Sequence, residues 1–181
     1  MKLKTALSML CSFALVATVV FAAGLSLRQE RERNSRIRAA FPPEAQIVVA
    51  KSEKFYLYSL QSERLAEADL KTIPNFHGYP ILGQARVRAR PYRADLFAAV
   101  YEDLGKNTFF DCFNPQHGIR AVRSGKTVDL LLGFGCRQME IYDERGMHRI
   151  TVGTEAQHVF DHVLSEYDVP LPMRSTPMPT L

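Results

Sequence analysis

The feature that most limits the fold is a long alternating run that follows a short turn. Residues 119–123 and 127–136 are β-prone, and Ser124-Gly125-Lys126 separates them, so the two runs predict an antiparallel hairpin. Side chains of a strand point alternately to its two faces, so alternate residues of the longer run share a face. Those residues are Val128, Leu130, Leu132, Phe134 and Cys136. All five are apolar, and we therefore expect this face to lie against a core.

Six further segments are predicted as strands, because they are short and rich in β-branched or aromatic residues, or alternate in polarity. They are residues 46–50, 55–60, 81–90, 108–113, 139–142 and 148–152. The last two flank Glu144-Arg145-Gly146 and predict a second hairpin. In residues 81–90, Ala85, Val87 and Ala89 alternate with polar, mostly basic side chains, which predicts a half-buried strand with a solvated basic row.

Two helices are predicted in the same part of the chain. From Tyr92 to Leu104, apolar residues recur at helical spacing, and Gly105 follows where a C-cap glycine belongs. A last helix is predicted from Thr154, where Gln157 three residues later indicates a capping box. The sequence therefore predicts an α+β domain, mainly an antiparallel sheet with two packed helices, preceded by an N-terminal hydrophobic helix.

The N-terminal hydrophobic segment is predicted to direct export. Residues 5–27 are 23 uncharged, mostly apolar residues, and a membrane-spanning helix needs about 20. Ala22 and Ala23 offer a small-residue cleavage site, so a cleaved signal peptide and an uncleaved signal anchor are both open. Two initial lysines favour export, whereas five arginines in residues 28–38 favour the reversed orientation with a cytoplasmic domain. We favour a cell-envelope location, periplasmic, secreted or single-pass anchored, with residues 5–27 contacting the membrane if they stay uncleaved.

The formal charge of +4 belongs to the N-terminal part of the chain. Two lysines and five arginines of the 23 basic residues precede residue 39, as do two of the 19 acidic residues. The 16 basic and 17 acidic residues that follow leave a charge of −1. A nucleic-acid-binding domain carries a basic surface, so we expect no nucleic-acid partner.

The chain is predicted to have four parts. Residues 1–27 are the signal peptide or signal-anchor helix, and residues 28–43 are a charged stalk that Pro42-Pro43 ends. Residues 44–169 are a single α+β domain. Residues 170–181 contain four prolines and are predicted to be a Pro-rich extended tail.

Cys112 and Cys136 are predicted to be neighbours. A turn at residues 124–126 places them nearly opposite each other across the first hairpin. Opposed strand residues lie about 4.5–5.5 Å apart, which suits a disulfide, and a disulfide is the usual state of such a pair in an exported protein. Two unlinked buried thiols, or a metal or redox site, are the alternatives.

His117 could join the two cysteines in a metal site. Cys112, His117 and Cys136 converge on one hairpin, and zinc binds both Cys and His. The spacing C-x4-H-x18-C matches no common zinc motif, and no fourth ligand is adjacent in the sequence. We therefore expect a disulfide between Cys112 and Cys136 and no cofactor, with zinc as the alternative.

Other titratable residues give weaker signals. His158 and His162 are four residues apart on the helix face opposite its apolar stripe, which indicates a solvated pair. Asp129 and Glu140 are predicted on opposite faces of the sheet, which makes them a poor acid–base pair. His77 is interpreted as a loop histidine.

Several short segments form a recognisable set. They are Leu57-Tyr58-Ser59-Leu60, Phe76-His77-Gly78-Tyr79, Leu82-Gly83, Cys112-Phe113-Asn114-Pro115-Gln116-His117-Gly118-Ile119-Arg120, Gly125-Lys126-Thr127-Val128-Asp129-Leu130, Phe134, Cys136 and Val169-Pro170-Leu171. The set resembles an uncharacterised family of signal-bearing bacterial envelope or secreted proteins with a Cys-Phe-x-Pro-x-His-Gly-Ile-Arg hairpin motif. That family often carries Cys-Phe-x-Cys in the second hairpin strand, and Gly133 stands at the first of those positions here. The resemblance implies architecture and export rather than an activity.

These features predict an exported or membrane-tethered envelope domain with a non-enzymatic binding or structural role. Its ligand or protein partner is not indicated by the sequence. The alternative function is a metal- or thiol-dependent activity centred on Cys112, His117 and Cys136.

Overall fold

The computed structural model describes residues 41–104 and 110–173, with a few isolated positions between 24 and 35. This described part is α+β, with a curled antiparallel sheet of seven strands and three α-helices. The strands are β1 (Lys54–Leu60), β2 (Asn75–Phe76), β3 (Tyr79–Arg86), β4 (His117–Arg123), β5 (Lys126–Gly133), β6 (Gln138–Asp143) and β7 (Gly146–Thr151). The helices are α1 (Pro43–Ala50), α2 (Arg90–Asp103) and α3 (Gln157–Glu166), with 3-10 turns at Glu67–Asp69 and Phe134–Cys136.

The strands lie in the order β2-β3-β1-β4-β5-β6-β7, so β1 separates β3 from β4. Both predicted hairpins are present, as β4–β5 and β6–β7. Ser124 and Gly125 have φ values of 49° and 80°, and two positive φ values are typical of the type I′ turn that suits the twist of a hairpin. The strand β5 ends at Gly133 rather than at Cys136, because the chain turns there through a 3-10 helix.

One face of the sheet carries the main core and the helices. Phe55 in β1 packs edge-to-face on Phe97 of α2 at 5.8 Å between ring centroids, and His117 in β4 does the same with Phe160 of α3 at 5.4 Å. The helix α1 contacts β4 and β5. Residues on this face that are fully buried include Leu57, Ile119, Leu130, Leu132, Met139 and Ile141.

The predicted strand at residues 46–50 was wrong, because this segment belongs to α1. Pro43 occupies the first turn, where a fixed φ suits a helix and the missing N–H costs nothing. Ala45, Val48 and Val49 are buried, at helical spacing. The run of β-branched residues is thus helical because its tertiary contacts lie on one helical stripe.

Smaller corrections concern element ends. Residues 110–113 are not a strand, β3 ends at Arg86 rather than residue 90, and α3 begins at Gln157 without the predicted side-chain cap. The helix predicted from Tyr92 to Leu104 is present as α2.

Other predictions fall outside the described residues. They concern the hydrophobic segment and most of the stalk, Gly105, residues 108–109 and the end of the tail from residue 174. Within the described ranges, none of the helices has the length and apolar character needed to cross a membrane.

Candidate functional site

Cys112 and Cys136 lie together as predicted. Cys112 precedes β4 and Cys136 ends the 3-10 turn after β5, with their Cα atoms 5.6 Å and their sulfurs 2.12 Å apart. The Phe110 N–H donates to the Cys136 carbonyl at 3.2 Å, so the backbone also holds the two segments together. The structure therefore contains a pair positioned for a disulfide.

His117 takes a different place from the one its sequence position suggested. Its ring is fully buried, lies between Phe134 and Phe160, and has Nε2 3.0 Å from Asp161 Oδ1. Burial lowers the pKa of His117, and the bond to Asp161 opposes this only in part. Within residues 41–104 and 110–173, no three His, Cys, Asp or Glu side chains are grouped to hold a metal, so the structure does not assemble Cys112, His117 and Cys136 into a metal site.

Ser59 pairs with His117 across β1 and β4. The Ser59 Oγ and the His117 Nδ1 are both buried without a hydrogen-bond partner among the described residues. Both residues are closed to solvent. A serine, a histidine and Asp161 are thus adjacent here, but in a place that a solvent-borne substrate does not reach.

Asp129 and Glu140 lie on the same face of the sheet, so their predicted separation was wrong. Asp129 opposes Tyr142, and Leu131 opposes Glu140, which puts both carboxylates on the face away from the helices. The prediction assumed a regular strand between them. The 3-10 turn and the left-handed Arg137, with φ 55°, break that strand and shift its alternation.

Asp129 is the centre of a first polar group. Its side chain is 7% exposed, and it accepts two bonds from Arg120, Nε to Oδ1 at 2.8 Å and Nη2 to Oδ2 at 2.6 Å. The His77 Nε2 lies 2.8 Å from Oδ2. Burial raises the pKa of Asp129, but the bonds from Arg120 and His77 outweigh burial and leave the pKa below its ordinary value. Asp129 is therefore a charged anchor.

Glu140 is the centre of a second, parallel group. Its side chain is 6% exposed; Arg149 donates to Oε1 from Nε at 3.2 Å and also from Nη2. The Tyr142 hydroxyl donates to Oε2 at 2.7 Å. Burial, and then this bond, raise the pKa of Tyr142 well above its ordinary value, so its hydroxyl stays protonated.

His77 joins the two groups. Its ring stacks on Tyr142 with centroids 4.0 Å apart, while Nε2 faces Asp129. His77 and Gly78, with φ values of 53° and 89°, form the two-residue turn between β2 and β3. The His77 Nδ1 makes no hydrogen bond to the described residues, and the His77 side chain is 24% exposed.

Three arginines each lie over an aromatic ring around this histidine. The guanidinium carbon is 5.2 Å from the Phe76 centroid for Arg120, 5.4 Å from that of Phe113 for Arg149 and 5.9 Å from that of Tyr79 for Arg64. Such contacts attract a cation to the ring and orient it. We call the whole set the arginine–aromatic face. Its members are Arg64, Phe76, His77, Tyr79, Phe113, Arg120, Asp129, Glu140, Tyr142 and Arg149.

A small apolar cluster supports this face. Its buried members are Tyr58, Leu60, Phe76, Tyr79 and Leu131. Gly118 lies beneath Phe76, and a Cβ at that position would come within 2.8 Å of two Phe76 ring carbons. The glycine therefore allows the β2–β3 turn, and with it His77, to approach the sheet.

Sequence reasoning missed this face. His77 was taken for an ordinary loop residue, although Phe76-His77-Gly78 between two short runs carries a histidine where type I′ turns favour Asn, Asp or Gly. That residue choice was the available signal. The pairing of Arg120 with Asp129 also follows from the correctly predicted first hairpin.

The arrangement is suited to holding an anion at a partly exposed surface. Arg120 and Arg149 are fixed by carboxylates but remain 41% and 49% exposed. Guanidinium groups held in this way present preset donors.

No protein-family model, curated protein or solved structure matches this chain.

Proposed function

We propose that this chain is an exported or membrane-tethered domain that binds a ligand, without catalysis, at the arginine–aromatic face. The main support is the pair of nearly buried carboxylates, Asp129 and Glu140, each bonded to a half-exposed arginine. Burying a carboxylate is costly unless charged donors compensate. The face retains this costly arrangement, and its result is a set of rigid donors at the surface.

The protonation states favour binding over acid–base catalysis. Asp129 accepts three bonds and has a lowered pKa, so it is a poor proton acceptor. Tyr142 has a raised pKa and acts as a donor to Glu140. General acid–base groups work best with pKa values near the working pH. The pKa shifts of Asp129 and Tyr142 move both groups further from neutral pH.

The segments that carry the family resemblance also contribute residues to the arginine–aromatic face. Tyr58, His77, Arg120 and Asp129 come from four of those segments, and all four lie at this face or in the apolar cluster below it. The Cys112–Cys136 pair is consistent with an oxidising location outside the cytoplasm.

The location is tested by N-terminal sequencing of the mature protein together with its intact mass. Cleavage after Ala22 or Ala23 would identify a secretory signal, and an intact N-terminus in the membrane fraction would identify an anchor. Reduction alone should add two hydrogens, a gain of about 2 Da, for the Cys112–Cys136 disulfide. Two free thiols in the protein isolated from its own cell would contradict export.

Binding is tested by NMR with a panel of small carboxylates, phosphates, sugars and cations. We expect at least one class to shift the His77 and Tyr142 signals in a saturable way. In His77→Ala the shift of the Tyr142 signal should weaken, while His158→Ala, an exposed histidine on α3, should bind like the parent. Saturable shifts confined to other surfaces would contradict the proposal.

The alternative metal- or thiol-dependent activity has its own measurement. Metal analysis of the purified chain should find no stoichiometric zinc if the disulfide is formed. Stoichiometric zinc that disappears in His117→Ala would favour that alternative over a binding domain.

A further inference from the structure

We infer that the ligand of the arginine–aromatic face is an N-acyl amino-acid carboxylate, the chemistry of a peptide C-terminus. This inference rests on the proposed function and adds the ligand class. It is drawn from the charge of the face, from its unused donors and from the one acceptor that His77 leaves open.

The charge of the face calls for a single negative charge. Arg64, Arg120 and Arg149 are balanced by only two carboxylates, Asp129 and Glu140. Arg64 is exposed, and none of the ion pairs found in the described residues includes it. These three arginines and two carboxylates therefore leave one positive charge in excess at the face, although the chain beyond residue 38 has a charge of −1.

Two of the arginines each have a guanidinium nitrogen that their carboxylates leave unused. Arg120 and Arg149 each bond their carboxylate through Nε and Nη2, which leaves Nη1 without such a bond. Arg120 shares Asp129 with His77, and Arg149 shares Glu140 with Tyr142, the residue on which His77 stacks. The unused Nη1 of each arginine is a charged donor that suits a carboxylate oxygen.

Arg64 brings the third guanidinium to the same place. A Cβ on Gly78, the residue after His77, would lie 3.1 Å from Arg64 Nε. Burial raises the pKa of Tyr79 and of Tyr142, and the positive charge of Arg64 opposes that rise in both. Arg64 therefore lies next to the turn that carries His77.

His77 adds a requirement for a hydrogen-bond donor. The carboxylate of Asp129 accepts from Nε2–H, so in the neutral ring Nδ1 carries a lone pair and accepts. A ligand that satisfies both the arginines and Nδ1 needs a carboxylate with an N–H close to it. The last residue of a peptide has this combination, and its side chain can lie on the half-buried rings of Phe113 and Tyr142.

The test uses two probes that differ in one group. N-acetyl-L-phenylalanine and its C-terminal amide are titrated into the isotope-labelled full-length chain in detergent micelles, with the signals of His77, Gly78 and Tyr142 followed by NMR. We expect the carboxylate to bind about tenfold or more tightly than the amide, since a hydrogen bond to a charged group is lost in the amide. Equal affinities, or tighter binding of phenyl phosphate, would overturn the inference.

A longer probe distinguishes the source of the carboxylate. If acetyl-Ala-Ala-Ala-Phe with a free C-terminus binds, the ligand is a peptide. If N-acetyl-L-phenylalanine binds and this longer peptide does not, the ligand is a free N-acyl amino acid. Failure of both to shift the three signals overturns the inference.

Arg64→Gln is the variant with the least structural risk, because the side chain is exposed and stabilises no buried carboxylate. It should weaken carboxylate binding about tenfold and leave amide binding unchanged. Arg88→Gln, another exposed arginine, is the matched control and should bind like the parent. An equal loss of carboxylate affinity in both variants would mean that the overall positive charge attracts the probe, and it would overturn the inference. If carboxylate and amide bind this face equally, the proposed function stands and only the ligand class fails.

Discussion

Replacing Asp129 by Asn removes the charge that fixes the arginine–aromatic face without changing the size of the side chain. Asp129 accepts two bonds from Arg120 and lies 2.8 Å from the Nε2 of His77. The amide keeps one acceptor oxygen, so at least one charged bond is lost and Arg120 loses its counter-charge. We expect this variant to be clearly destabilised.

The magnitude follows from burial. A bond to a charged group contributes about 1.5–3 kcal/mol, and removing one partner of a fully buried pair costs about 3–5 kcal/mol. Asp129 is 7% exposed, but Arg120 is 41% exposed and water replaces part of what it loses. We therefore expect a loss of about 2 kcal/mol, which corresponds to roughly 4–8 °C in Tm for a chain of this size.

Urea unfolding followed by far-UV circular dichroism measures this loss. Glu144→Gln is the matched control, because the Lys126–Glu144 pair spans 3.2 Å between two exposed side chains. Exposed pairs contribute little, so the control should stay within about 0.5 kcal/mol of the parent. If Asp129→Asn loses no more stability than Glu144→Gln, the carboxylate is not the anchor of the face.

The pH dependence gives an independent check. The pKa of folded Asp129 lies below its ordinary value of 3.8, so its contribution is complete above that pH and is lost as the pH falls through the folded pKa. The difference in unfolding free energy between the parent and Asp129→Asn should therefore shrink below about pH 4. A difference that stays constant there would refute this account.

Three other changes have expected outcomes. Reduction of Cys112 and Cys136, which are 24 residues apart, should lower the unfolding free energy by about 3 kcal/mol in urea titrations, while a Cys11→Ser variant in the same experiment should lose as much on reduction as the parent. The folded pKa of His117 is lowered, so its contribution to the unfolding free energy is complete above about pH 6.5 and declines as the pH falls. Between about pH 7 and 5, His117→Gln should therefore lose less unfolding free energy than the parent. Gly118→Ala should lower the unfolding free energy measured in urea by about 1–3 kcal/mol, because Phe76 has to move.

The sequence was informative where structure depends on neighbouring residues. Ser124-Gly125 and Glu144-Arg145 both proved to be hairpin turns, because two-residue turns and alternation are local properties. Residues 46–50 were misassigned because Val48 and Val49 favour strands in isolation, and only contacts with β4 and β5 select the helix.

The site depended on contacts that local patterns do not carry. Asp129 and Glu140 were placed apart because the break at Phe134–Cys136 was not visible in the alternation. His77 reaches Asp129 from 52 residues away, through a strand order that places β1 between β3 and β4. The close pairing of Cys112 and Cys136 was predictable because both flank one hairpin.

The strand order also has a consequence for how the chain folds. Strands β4 to β7 pair with their immediate successors, so this meander closes only short loops. Pairing of Leu57 with Ile119 instead closes a loop of about 60 residues, whose chain entropy is lost before any contact compensates it. We expect the C-terminal meander to form in the folding transition state and β1 to join it later. The arginine–aromatic face, which needs both, would then be among the last parts of the domain to assemble.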